Sequence, residues 1–464
     1  MPSNQKVSIV TLGCAKNTAD TDNLARLLKA RGYEVVADPA QAGSIVVHTC
    51  SFIEAAKQES INAILQAGQL KEEGKKKLIV SGCLVQQHGQ EIFESMPEVD
   101  AFLGTGQLAQ VADILDKPRP RFMDRAKPGG FMDPDLDAER RKVSPPVVWR
   151  ADEPVSPTAY LRLSEGCSHP CSFCVIPRLR GGVQSRTEET ILKEVRELAG
   201  QGVEEFVIIE QDTGDWGKDF KHDGKNTLAA LLRTIAAVPG VRWIRLMYMH
   251  PASFSGALLD VFAEQPEKFP YLDMPLQHID TAMLAQMQRK TDEAGLRALI
   301  TRIRRRVPAL SLRTTFIVGF PGETDDQFAR LLAFVREGHF DYLGAFAYSQ
   351  EEGTPAGRRT DQVPDAVKQD RLSALTAAHY DVAHAKAQKR LGAVETLILE
   401  TSEDGAVLAR SRREAPEIDA VIRLPPSAAR QGRFVSATLM AYDAYEFTAQ
   451  PIAKPLSNPD RFEL

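Results

Sequence analysis

Three runs rich in β-branched residues, all within the first 83 positions, each stop at a cysteine. Val7-Ser-Ile-Val-Thr-Leu12 leads into Gly13-Cys14, Ser44-Ile-Val-Val-His48 into Thr49-Cys50, and Lys77-Leu-Ile-Val80 into Ser81-Gly82-Cys83. Short apolar runs bounded by small or turn residues read as buried strands. Helical patterns lie between them. Leu24, Leu27 and Leu28 share one helical face that ends at Gly32, and Ile61, Ile64 and Leu65 mark a second helix. A β-α-β-α-β order predicts an open parallel sheet with right-handed crossovers. The C-terminal ends of parallel strands share one edge, where open α/β sheets hold ligands. Cys14, Cys50 and Cys83 are therefore expected to meet there. The plainer alternative is three buried structural cysteines, which are common in cores.

The other three cysteines, Cys167, Cys171 and Cys174, follow a strand-like run in the C-x3-C-x2-C segment from Gly166 to Cys174. Three thiolates on one loop can hold three irons of a 4Fe–4S cube and leave the fourth iron open to a ligand. A structural Zn site asks for four ligands, so a Zn loop fits less well. A disulfide loop is the remaining alternative.

The rest of the chain divides on similar grounds. Eight prolines fall between 118 and 157, far above ordinary usage, and proline resists both helix and sheet. That stretch is read as a linker, which makes residues 1–117 a first domain. Six strand runs follow: Tyr160–Leu163, Phe206–Ile209, Trp243–Tyr248, Tyr271–Met274, Leu312–Val318 and Tyr342–Ala347. Helical patterns separate them, and Ser185 with Glu188 suggests a capping box for one helix. A partial (β/α)6 barrel over 158–390 is expected, with its chemistry at the strand C-terminal ends. Five short strand runs after Val394 predict a small antiparallel β-barrel over 391–464. The chain is thus a multidomain α/β protein.

Composition narrows the setting. No apolar run reaches the length of a membrane span. Met1-Pro-Ser-Asn-Gln-Lys6 leads directly into a strand with no signal-peptide core, so a cytoplasmic protein is expected. In that compartment six cysteines point to metal binding or catalysis rather than disulfides. The net charge of −5 argues against nucleic-acid grip as the main task.

The cysteine loop, with Phe173 before its last cysteine, resembles the radical S-adenosylmethionine superfamily. With the Cys14, Cys50, Cys83 set, the whole chain resembles the methylthiotransferases. These carry an N-terminal cluster domain, a radical-SAM barrel and a C-terminal TRAM domain. Ala15 stands where that family commonly has Pro, and Asp20-Thr-Asp22 where Asp-Ser-Glu is common. The resemblance implies two 4Fe–4S clusters, one on each trio, with S-adenosylmethionine as both methyl donor and radical source. It also implies electrons from a low-potential donor. A 5′-deoxyadenosyl radical formed at the barrel cluster would take a hydrogen atom from an unactivated carbon, and the first cluster would carry the sulfur. Phe173 is expected against the adenine, Gln211 and Asp212 near S-adenosylmethionine or substrate, and Gly319 in a turn that lets backbone approach a ligand.

Within the family, Asp273-Met-Pro-Leu-Gln-His278 and Tyr348-Ser-Gln-Glu-Glu-Gly-Thr-Pro-Ala356 look like the branch that modifies an aspartate of small-subunit ribosomal protein S-twelve, on the β-carbon of that residue. The alternatives are a tRNA adenosine methylthiotransferase and a non-catalytic Fe–S or Zn-binding protein. Residues 392–464 carry eight basic and eleven acidic residues, 8 − 11 = −3. A tRNA-gripping barrel should be basic, whereas an acidic one suits a basic ribosomal protein. No membrane and no direct tRNA substrate are expected.

Overall fold

The computed structural model describes residues 5–74, 76–116, 120–125, 156–220, 227–403, 406–431 and 433–452. The first domain is a six-stranded parallel sheet ordered β2-β1-β3-β4-β5-β6. Its strands are β1 (Lys6–Thr11), β2 (Glu34–Val35), β3 (Ser44–Thr49), β4 (Lys77–Gly82), β5 (Ala101–Leu103) and β6 (Phe122–Asp124). Helices α1 (Ala15–Ala30), α2 (Glu54–Gly74), α3 (Cys83–Ser95) and α4 (Gln110–Asp116) connect them. Both faces are covered. Ile45, Val47, Leu78 and Val80 pack on Ile64 of α2 and Leu84 and Val85 of α3. Val46 and Ile79 pack on Leu24 and Leu28 of α1 and Val111 of α4. Burial on both faces is why these strands read as unbroken apolar runs.

Two details depart from the sequence reading. Leu65 is exposed, because the covered face of α2 runs through Ile64. The strand β6 lies inside the 118–157 stretch read as linker, and it pairs with β5 at Ala101↔Phe122. Three residues beside two prolines leave no strand signature, and the pairing exists only once β5 is in place. Most of that proline-rich stretch lies outside the described residues.

The central unit is a six-stranded all-parallel sheet in chain order, with β7 (Thr158–Leu161) and β14 (Tyr342–Ala347) at its two edges. Between them lie β10 (Glu205–Ile208), β11 (Trp243–Leu246), β12 (Tyr271–Asp273) and β13 (Ser311–Val318). A two-stranded ribbon of β8 (Ser164–Glu165) and β9 (Gln184–Ser185) flanks the cysteine loop. The helix Glu188–Gly200 starts from Thr187, whose side chain accepts from Thr190 N. Ser185 therefore pairs in β9 instead of capping. The outward side chains of the strands form one large apolar core with the surrounding helices.

The C-terminal unit is a closed barrel, β15 (Val394–Glu403), β16 (Ala406–Ser411), β17 (Val421–Leu424), β19 (Glu446–Pro451) and β18 (Phe434–Asp443) in spatial order. Four seams are antiparallel and one, β17 with β19, is parallel.

This small barrel closes one end of the large one. Glu205, the first residue of β10, accepts from Arg245 Nε (2.5 Å) and Arg410 Nη2 (2.6 Å), all three buried. Ser311 Oγ donates to Arg413 O (2.8 Å), Tyr342 OH to Glu414 Oε1 (2.8 Å) and Tyr271 OH to Asp419 Oδ2 (2.6 Å). Each of those three side chains also begins its strand. Residues 410–419 thus seal the strand starts, and the strand C-terminal ends form the mouth.

Candidate active site between two cysteine trios

All six cysteines are free thiols. In the first domain, Cys14 follows β1, Cys50 follows β3 and Cys83 opens α3 after β4. The three strands are adjacent in register, so their ends bring the cysteines together. A Cβ built on Gly13 would lie 2.5 Å from Cys50 Cβ and 2.8 Å from Cys50 Sγ. The backbone beside Cys14 therefore lies directly against Cys50. Burial pushes the Cys50 thiol up to about 12, with Cys83 and Cys14 adding to the shift.

In the barrel, the loop after β8 holds Cys167, Cys171 and Cys174. Burial pushes Cys167 to about 11 and Cys174 to about 12, and each feels Cys171 electrostatically. Cys167 N donates to Gly181 O (3.1 Å), and Ser172 N and Oγ donate to Met287 O and Gln286 O (3.1 and 2.8 Å). The loop is tied down at both ends.

The two trios share one cleft. Cys83 packs against Val175 and Leu179, the N-cap and a buried residue of the short helix α5 (Ile176–Arg180) following Cys174. Arg180 Nη2 lies 3.6 Å from Cys83 Sγ and its Nη1 2.9 Å from Glu165 Oε1. Asp20 of α1 pairs with Arg162 just after β7. Burial opposes the Asp20 charge, but Arg162 and Arg180 outweigh it and lower its pKa. On the far side, Lys57 of the first domain pairs with Glu351 at 2.8 Å. Asp20, which stands in the family-like string after Cys14, therefore helps join the domains.

The residues present fit iron–sulfur clusters. Buried thiols with pKa values near 11–12 keep their protons at neutral pH unless a cationic centre holds them as thiolates. Three thiolates also leave a cubane with about one net negative charge. A cation stands beside each trio: Arg180 at Cys83, and Arg289, whose Nη1 is 3.7 Å from Cys171 Sγ.

The remaining expected residues divide. Phe173 packs with Met283, Met287, Phe320 and Tyr348, an apolar patch beside the loop. Gln211 Nε2 donates to Glu165 Oε1 (3.2 Å), and its Oε1 is buried without a partner. Asp212 was expected as a contact for S-adenosylmethionine or substrate, but its carboxylate already has four protein partners. Oδ1 accepts from Gly214 N and His250 N, and Oδ2 bonds His169 Nε2 (2.7 Å) and Ser253 Oγ (2.8 Å). It ties the cysteine loop to the strand ends. Gly319 has φ +70 and its backbone is covered by Lys368, while its N donates to Glu323 Oε2 (2.5 Å). The close approach there is made by protein side chains.

His48 and His278 are buried hydrogen-bonding histidines, on Ser81 Oγ (2.8 Å) and Glu323 Oε1 (3.0 Å). The sequence reading missed Lys16, Arg180, Arg289 and Tyr248. Lys16 and Arg180 lie within six residues of cysteines, a signal that was available. Tyr248 ends the strand run Trp243–Tyr248, at the strand end where the chemistry was expected, whereas Arg289 comes from a distant segment and had no such signal.

Comparison with known proteins follows this division of the chain. Residues 6–104 match the family described as "Uncharacterized protein family UPF0004", residues 161–335 the Radical SAM superfamily and residues 391–452 the TRAM domain. Proteins named "Ribosomal protein uS12 methylthiotransferase RimO" match nearly end to end. The one from Desulfitobacterium hafniense is 39% identical, with 97% of this chain and 99% of that protein covered. The one from Anaeromyxobacter sp. (strain K) is 41% identical over 98% and 95%. The one from Geobacter sulfurreducens is 39% identical over 97% and 99%. Among solved structures, the radical S-adenosylmethionine methyltransferase TsrM from Kitasatospora setae superposes with TM-score 0.53 at 15% identity, over 76% of this chain and 75% of that one. That likeness concerns the fold.

Proposed function

The chain belongs to the ribosomal protein uS12 methylthiotransferase family, and on that premise we propose that it transfers a methylthio group to the β-carbon of an aspartate in uS12. The observation that carries this is the meeting of two cysteine trios, one from each of two domains, at the open end of a barrel whose other end is sealed. We assign Cys14, Cys50 and Cys83 to one 4Fe–4S cluster and Cys167, Cys171 and Cys174 to the other. When bound, such clusters supply one-electron cleavage of S-adenosylmethionine at the barrel trio and a sulfur-carrying iron at the first-domain trio.

The chain's own residues then have definite tasks. Arg180 and Arg289 balance thiolate charge. Phe173, within its apolar patch, offers a face to an adenine. Gln211 Oε1, buried and unpartnered, is an acceptor available to the amino group of S-adenosylmethionine. Asp212 and Gly319 hold the loop and the turn in place instead of touching ligand. Residues 410–419 exclude water from below, which protects a reactive carbon centre from quenching. Electrons come from a low-potential donor.

The uS12 substrate is favoured over tRNA by the state of the C-terminal arginines. Arg410 pairs with Glu205 and Glu400, Arg412 with Glu267, and Arg423 with Glu446. These bases serve the fold instead of forming a phosphate-binding stripe. No helix of the described residues is long and apolar enough to cross a membrane. A ribosomal substrate supports work in the cytoplasm.

Two measurements test the proposal. Anaerobically purified protein should hold about eight irons with matching acid-labile sulfide. Zn without sulfide would reject the enzyme. Ribosomal proteins from a strain lacking this gene should lose the methylthio mass on uS12. Its persistence there, with loss from tRNA, would transfer the assignment to tRNA.

A further inference from the structure

Lys16 stands in the cleft between the two trios and, among the described residues, forms no ion pair. It lies in the first turn of α1, two residues after Cys14. Its ammonium sits 4.9 Å from the centroid of the Tyr248 ring, which belongs to the barrel. Electrostatically it is felt by Cys14 on one side and by Cys174 on the other; the buried carboxylate of Glu210 attracts it without pairing, and Arg180 and Arg162 oppose it. The neighbouring cations are engaged. Arg162 is paired with Asp20 and Glu165, and Arg180 with Glu165. Arg289 faces Cys171 Sγ and Pro275 O. Among the described residues, Lys16 is the cation of this group without an ion pair, and its ammonium lies over the Tyr248 ring.

Its platform is held in an unusual way. Tyr248 follows β11 with φ +58, a left-handed backbone that a bulky side chain rarely adopts. Asp273 Oδ2 accepts from Tyr248 N (3.1 Å) and fixes this geometry. Strain of this kind concentrates where a side chain must be aimed. A half-buried ammonium on a ring, with no ion pair among the described residues, calls for an anionic oxygen.

We propose that Lys16 binds the side-chain carboxylate of the substrate aspartate and so places the adjacent β-carbon between the two trios. This rests on the uS12 reading above and adds to it the residue that recognises the target side chain. No bond changes at Lys16; it is a positioning group, with Tyr248 setting its height. A carboxylate held there leaves its own β-carbon facing the cleft. An asparagine in the same place offers no charge for the ammonium.

The test uses the full-length, iron-loaded protein without reductant, so that binding is read apart from turnover. The probes are a uS12-derived peptide with the target aspartate and the same peptide with asparagine there. Wild-type protein should bind the aspartate peptide at least about tenfold more tightly. Lys16→Met should bring the two affinities together with iron content unchanged, and Lys16→Arg should restore part of the difference. Equal wild-type affinities would overturn the proposal, as would a preference that survives in Lys16→Met. An iron loss confined to Lys16→Met would do so too, by assigning Lys16 to the cysteine site. Failure of wild-type protein to bind either peptide, or uS12 within intact small subunits, would instead count against the uS12 reading itself.

Discussion

The two trios reach the same cleft by opposite routes. Cys167, Cys171 and Cys174 lie on one eight-residue loop, so chain connectivity alone keeps them close. Cys14, Cys50 and Cys83 lie 36 and 33 residues apart, and only the parallel pairing of β1, β3 and β4 joins them. The loop trio is a local site that the barrel orients. The sheet trio exists only when its domain is folded. Metal binding at the second kind of site is coupled to folding of the whole sheet.

The sharpest way to break this comparison is to remove one ligand from each site. Cys171→Ala should lower iron from about eight to about four per chain and abolish both reductive cleavage of S-adenosylmethionine and modification of uS12. Cys50→Ala should lose the other four irons, retain cleavage and abolish modification. If Cys50→Ala also stopped cleavage, the sites would not be separable. Iron analysis with product chromatography decides the matter.

A smaller effect tests whether the cleft depends on the sealed lower end. Glu205→Ala strands Arg245 and Arg410 without their buried carboxylate. About 3–5 kcal/mol of stability should be lost, read by urea denaturation, with six thiols still in place. The same carboxylate gives a pH signature. Burial opposes its charge, but Arg410 and Arg245 outweigh it and hold its pKa down at about 2, against 4.5 ordinarily. Its stabilisation is therefore complete above about pH 4.5 and disappears as pH falls toward 2. Denaturation midpoints should flatten with pH in the Glu205→Ala protein over that window.

A pair of glycines sharpens the contrast further. Gly13 (φ +93) and Gly166 (φ +77) each precede the first cysteine of a trio. A Cβ at Gly13 meets the Cys50 side chain, whereas one at Gly166 meets the backbone carbonyls of Gly181 and Gly182. Each alanine variant should cost about 1–3 kcal/mol. Gly13→Ala should deplete the first-domain irons alone and Gly166→Ala the barrel irons alone. The smallest effect belongs to Gly32→Ala. Its φ is +86 but nothing lies within 4 Å, so about 1–2 kcal/mol and a full iron count are expected.

Much of this was legible in the chain. The three cysteine-ended runs, the C-x3-C-x2-C loop and the six strand-helix alternations announced the sheet and the barrel and put the six cysteines at strand ends. Elements that were missed share a physical cause. The strands β2, β5 and β6 are two or three residues long, too short for periodicity, and they form because a neighbouring strand offers its edge. The cap at Thr187 was displaced by two positions because the β8–β9 ribbon claims Ser185. Asp212 and Gly319 have the right residue types at the right strand ends, but Ser253 and His250 on Asp212, and Lys368 on Gly319, come from elements that no local pattern connects to them.

By itself, then, the sequence determined which soft ligands the chain offers: six cysteines, grouped in two sets of three, each set at the end of strands. It could do so because ligand type and strand periodicity are written in near neighbours. Only the tertiary structure decided that the two sets face one another, that residues 410–419 close the barrel from below, and that Lys16 stands over Tyr248 without an ion pair among the described residues. Those outcomes depend on contacts between residues far apart in the chain, 232 positions for Lys16 and Tyr248 and 294 for Lys57 and Glu351. Burial and charge balance between domains select such contacts.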